Sequence, residues 1–72
     1  MTKLGLLFAK RSISKSEVAK KTGLHKSRIS DLTLKSSSHL RGDELVLIAL
    51  AIDMHPHELL DYLYGDLKLK AD

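Results

Sequence analysis

Residues 14–34, Ser-Lys-Ser-Glu-Val-Ala-Lys-Lys-Thr-Gly-Leu-His-Lys-Ser-Arg-Ile-Ser-Asp-Leu-Thr-Leu, decide the reading of this chain. They read as two short helices joined by the three-residue turn Gly23-Leu24-His25. Ser14 is placed to accept a hydrogen bond from the amide of Glu17, and Glu17 to reach back to the amide of Ser14, the reciprocal arrangement of a capping box. Ile13 and Val18 flank that box as a hydrophobic staple. Val18 and Ala19 face inward, and the small Ala19 lets another helix approach closely. Gly23 stands where the first helix must stop and the chain must bend, a position that often needs φ > 0 and so favours glycine. Leu24, Ile29 and Leu32 supply the inward side of the turn and of the second helix. Two helices joined in this way form a helix-turn-helix, whose second helix is shaped to lie in a DNA major groove.

Working outward, Leu4, Leu7 and Phe8 recur at helical spacing and predict a helix over 2–11. The central pair is expected over 15–22 and 26–34. A fourth helix is expected over 43–52 behind Gly42, with Asp43 and Glu44 at its positive end. A fifth starts after His55, with Pro56 at the first helical position, where a missing amide is harmless. It should end near Gly65, read as a C′ glycine. The tail 66–72 alternates Leu67 and Leu69 over too short a run to assign. No strand pattern is present, so the expected fold is all-α.

Composition and charge narrow the classes. Seventy-two residues allow one domain, too small for an ordinary enzyme cleft. Such a fold is stabilised by roughly 3–5 kcal/mol unless stapled or partnered. There is no cysteine, which excludes disulfides, cysteine-bound zinc and thiol catalysis and fits a reducing cytoplasm. No apolar run reaches membrane-spanning length, and Met-Thr-Lys does not open a signal peptide. The net charge of +3 is unevenly spread. Residues 1–35 carry nine lysines and arginines against Glu17 and Asp31, a charge of +7. Residues 36–72 carry three against seven acids, a charge of −4. The basic half is the half with the helix-turn-helix, the footprint expected for a phosphate backbone.

The order and spacing of these elements resemble the phage-repressor-like family, also called the Cro or XRE family of bacterial and phage DNA-binding proteins. Leu4–Arg11 fill the helix before the motif. Leu45–Ile52, then Asp53-Met54-His55, then Pro56-His57-Glu58-Leu59-Leu60 fill the slots of the fourth helix, its turn and the fifth helix, so the likeness runs over about residues 4–63. The resemblance implies a five-helix lambda-repressor-like DNA-binding domain over 1–65, with 66–72 as a short C-terminal tail. It also implies a small cytoplasmic transcriptional regulator of repressor type, without cofactor or membrane attachment. Its partner would be double-stranded DNA, bound sequence-specifically by inserting the third helix in the major groove. Helical phase with Ile29 and Leu32 inward turns Ser27, Ser30, Asp31 and Leu34 outward, with Lys26 and Lys35 at the edges. Carried over from the family, base contacts fall to Lys26, Ser27, Ser30 and Asp31. Phosphate contacts fall to Lys15 and Ser16, where free amides open a helix, to Arg28 at the groove edge, and to Lys35, Ser36 and Ser37 in the following loop.

Two positions depart from the family pattern. Asp31 replaces a residue that is usually basic or polar; either it accepts from a cytosine amino group, or it pairs along the helix with Arg28 or Lys35. At the end of the third helix, Thr33, Leu34 and Lys35 stand where the family often has Glu and then Gly. Leu34 is expected to fold under the serine loop as core, the alternative being a thymine methyl contact.

On the fourth helix Leu45, Ile48, Ala49 and Ile52 share the core face, while Leu47 and Leu50 point the other way with Met54 near in phase. Two readings are open. These three form a two-fold dimer interface suited to a palindromic site, or the fifth helix and the Leu63–Leu69 tail wrap over them. His25, His39, His55 and His57 have no chelating spacing; His25 is expected in the turn near phosphate and His55 as the cap of the fifth helix. No phosphate loop, nucleophile elbow or paired carboxylates point to an enzyme. The alternatives to a repressor are a protein-interaction module on the same fold and an antitoxin or plasmid-maintenance regulator.

Overall fold

The computed structural model describes residues 1–70; residues 71 and 72, the end of the expected tail, lie outside the described residues. Five helices follow one another: α1 (Lys3–Lys10), α2 (Lys15–Thr22), α3 (Lys26–Leu34), α4 (Gly42–Ala51) and α5 (Pro56–Tyr64). There is no strand among the described residues. The boundaries agree with expectation to within a residue at each end.

The apolar stripes meet in one core. Leu4, Leu7 and Phe8 of α1 join Val18, Ile29, Leu32, Leu45, Ile48, Ala49, Ile52 and Leu59. Ile13, Ala19, Leu24, Leu40 and Met54 pack against it from the edges. α3 rests on α1 and α2, and α4 on α2 and α5. The helix-turn-helix is thus carried on a body made by the outer three helices.

Local chemistry explains each helix end. Ser14 Oγ accepts from the Glu17 amide at 3.3 Å. The reverse bond of the expected capping box does not form among the described residues, so Ser14 caps α2 alone. That reverse bond occurs instead at α4 and α5, where Glu44 and Glu58 accept from the amides of Arg41 (2.9 Å) and His55 (3.0 Å). His55 holds the N-cap position of α5, as expected, and is fastened there through its amide. Gly23 is left-handed at φ 78 with open space around it, so backbone conformation alone calls for glycine there. Gly65 is right-handed at φ −63 and not the left-handed terminator expected. A Cβ there would strike the Asp61 carbonyl, so close packing is what suits it to glycine.

Two further ends were not foreseen. α1 closes with Ser12 at φ 53, where the Ile13 amide donates to the Phe8 carbonyl (2.8 Å) and the Ser12 amide to the Ala9 carbonyl (3.3 Å). α4 closes identically with Asp53 at φ 59, Met54 donating to Ala49 (2.9 Å) and Asp53 to Leu50 (3.3 Å). Both are Schellman motifs built on a non-glycine residue. In each the next residue, Ile13 or Met54, turns into the core.

The other end of α3 is held from a distance. Thr2 donates through its amide to the Thr33 carbonyl (3.0 Å) and through its hydroxyl to the Leu32 carbonyl (2.7 Å). These are carbonyls that a helix terminus otherwise leaves without partners. Gly5 of α1 lies so close that a Cβ on it would strike the Thr33 carbonyl. Thr33 itself is buried, and its hydroxyl donates to the Ser30 carbonyl at 3.0 Å, so the position is satisfied without a charge.

Candidate nucleic-acid interface

α2 and α3 present the site. The hydroxyl of Thr22 donates to the Val18 carbonyl (2.7 Å) and accepts from the Leu24 amide (3.2 Å), bracing the turn around Gly23. Leu24 tucks against the core beside that turn, which sets the angle between the two helices. The backbone at His25 then opens α3 with its carbonyl accepting from Arg28 and Ile29, while its side chain is exposed.

Along the outer row of α3, Lys26 and Ser27 are exposed and Ser30 and Asp31 half-buried. All four lie on the side away from Ile29 and Leu32. At the start of α2, Ser16 is exposed and Lys15 half-buried. Among the described residues no protein acceptor meets the amides of Lys15 and Ser16, so these donors and the positive end of the helix dipole face outward together. In the loop, Lys35, Ser36 and Ser37 are exposed, the chain turning where the Ser38 amide donates to the Lys35 carbonyl (3.0 Å).

Asp31 takes up one of the readings open to it, and Arg28 and Leu34 depart from theirs. Asp31 pairs with Lys35 at 3.3 Å along the helix, which selects one of the two partners open to it and neutralises much of its charge toward a phosphate. Arg28, expected at the groove edge, is engaged inside the protein. Its Nε and one Nη each bond the Glu44 carboxylate at 2.8 Å, and that Nη also donates to the His39 carbonyl at 2.7 Å. Glu44 is only 4% exposed, and the bidentate guanidinium holds its carboxyl below the ordinary carboxylate value against the opposing effect of burial. Arg28 is in turn held above its ordinary value by the same bonds. The pair joins α3 to the start of α4 and pins the intervening loop. Leu34, expected as core, is 53% exposed at the end of the outer row, because the loop turns away after Lys35 instead of covering it.

The outward face of α4 is bare. Val46, Leu47 and Leu50 are exposed, Leu50 by 61%, while Met54 is half-buried against the core. The reading in which the tail covers these residues is not met: Leu67 and Leu69 are themselves exposed. His55 and His57 stack at 5.4 Å, and no group of three or more potential ligand side chains is gathered for a metal among the described residues. No helix there is long and apolar enough to cross a membrane.

The comparisons bear on the whole arrangement. A family model described as the Cro/C1-type HTH DNA-binding domain matches residues 3–63, from the first helix through the fifth. No curated protein and no solved structure matches the chain significantly.

Proposed function

Because the chain belongs to the Cro/C1-type helix-turn-helix DNA-binding domain family, we infer that it is a small transcriptional regulator of repressor type, occupying a DNA site with α3 in the major groove. The observation that carries this reading is the exposed row of Lys26, Ser27, Ser30 and Asp31, standing beside the outward amides of Lys15 and Ser16. Lys26 and the serines offer donors to guanine and to several base edges, and Asp31 accepts from cytosine when Lys35 swings to a phosphate. Lys15, Ser16, Lys35, Ser36 and Ser37 suit the backbone, which fixes register without reading sequence. Arg28 serves this face indirectly, by holding the loop.

Binding to a duplex selected from a random library tests the reading. Affinity should fall with salt with a slope of about −0.9 for each phosphate neutralised, so Lys15 and Lys35 together predict about −1.8. Lys26→Glu combined with Ser30→Glu should abolish the preference while the protein stays folded. Undiminished binding by that double variant would end the proposal.

A second reading has an observation of its own. The bare Val46–Leu47–Leu50 stripe fits a two-fold contact with another copy, which would place two recognition helices on half-sites about 34 Å apart. The same stripe fits a protein-interaction module of this fold or the partner-binding surface of an antitoxin. Sedimentation of Leu47→Glu separates these: a monomeric variant beside a dimeric parent supports the two-fold contact, and an unchanged assembly removes it.

A further inference from the structure

We propose that Leu34 reads sequence, seating its side chain against the 5-methyl group of a thymine in the major groove. The proposal rests on the DNA-binding reading above and deepens it. Leu34 continues the outer row of α3, three residues after Asp31 and four after Ser30, so it shares their face. At ~1.5 Å per residue it stands about 10 Å along the helix from Ser27, roughly three base-pair steps at ~3.4 Å each. It is half exposed, whereas Leu32, two residues earlier, is buried. Ser27 and Ser30, its nearest predecessors on that face, are short, which lets this part of the helix sit deep and bring a longer side chain to the base edges. Leu34 also lines one surface recess with Lys15, the residue at the opening of α2 assigned to phosphate.

An isobutyl group can neither donate nor accept a hydrogen bond. The thymine methyl is the apolar group presented on the major-groove edge, so it is the feature that such a side chain distinguishes.

The test exchanges thymines for deoxyuridine, one at a time, in the duplex selected by the unaltered protein. Each exchange removes one methyl group and keeps the base pair. At one thymine the unaltered protein should lose about fourfold in affinity, the equivalent of ~0.8 kcal/mol for one buried methyl group. Leu34→Ala should bind the parent duplex more weakly by a similar factor and lose nothing further from that exchange, the coupling expected of two groups in contact. Loss of the same size in both proteins, or no sensitive thymine anywhere, overturns the proposal for Leu34 and leaves DNA binding intact. If the unaltered protein selects no duplex at all, the underlying reading falls and this one with it.

Discussion

Gly5→Ala adds one methyl group, and the structure places it against a backbone atom. In an exposed helix interior that exchange is worth a gain of up to about 1 kcal/mol. Here the new Cβ would strike the Thr33 carbonyl and press on the Met1 side chain. The side chain can move; the carbonyl cannot easily, because the Thr2 amide holds it at 3.0 Å. Relief requires α1 to lift from the end of α3. Overpacking of this kind typically costs about 1–3 kcal/mol. Loss of the Thr2 bonds to Thr33 and Leu32 adds about 1 kcal/mol each. Set against the propensity gain, the net destabilisation is about 2–4 kcal/mol. At about 4–8 °C per kcal/mol for a domain of this size, the midpoint should fall by about 8–32 °C. Circular dichroism during heating and urea titration measures it. Gly42→Ala is the control: a Cβ there meets nothing within 4 Å, so helix formation should gain about 0.4–1 kcal/mol. A Gly5→Ala protein that melts at or above the parent temperature would refute the reasoning about the α1–α3 contact.

Ser12→Gly should raise stability by about 0.5–1 kcal/mol, since it relieves a left-handed serine at φ 53 while adding some unfolded-chain entropy. A lower urea midpoint would contradict this. Glu44 has a folded pKa below its ordinary value of 4.5, so its stabilising contribution is complete above that pH and is lost as pH falls through the folded value. The parent should therefore lose stability on acidification below pH 4.5 more steeply than Glu44→Gln. Parallel urea-midpoint curves from pH 7 down to 3 would show that the Arg28–Glu44 pair has no such role.

Much of the backbone was legible because its signals are local. Ser14 caps α2, Gly23 takes the positive φ, and Pro56 opens α5, each acting within four residues of itself. Helical phase likewise separated Ile29 and Leu32 from Ser27 and Lys26. What stayed hidden depends on partners far along the chain. Arg28 looked like a groove-edge cation until Glu44, sixteen residues on, engaged it. Gly5 and Thr2 carried no visible sign of their contacts with Thr33 and Leu32, some thirty residues away. Leu34 was misread because burial was inferred for a loop whose path only the ion pair and the Lys35–Ser38 turn determine. Ser12 and Asp53 concealed their conformation because neither residue type announces a left-handed turn. The interface residues themselves were set by phase and by family likeness, and their contacts await the binding experiments.

The two Schellman corners have a mechanical consequence. Main-chain bonds lock α1 to α2 and α4 to α5 into two stiff elbows, and no titrating group takes part in the Schellman bonds themselves. The segment joining them is fastened at the end of α3 by Thr2 and, toward α4, by a guanidinium and a carboxylate. Acid therefore acts on the mortise between the elbows, slackening the seat of α3 as Glu44 loses its charge.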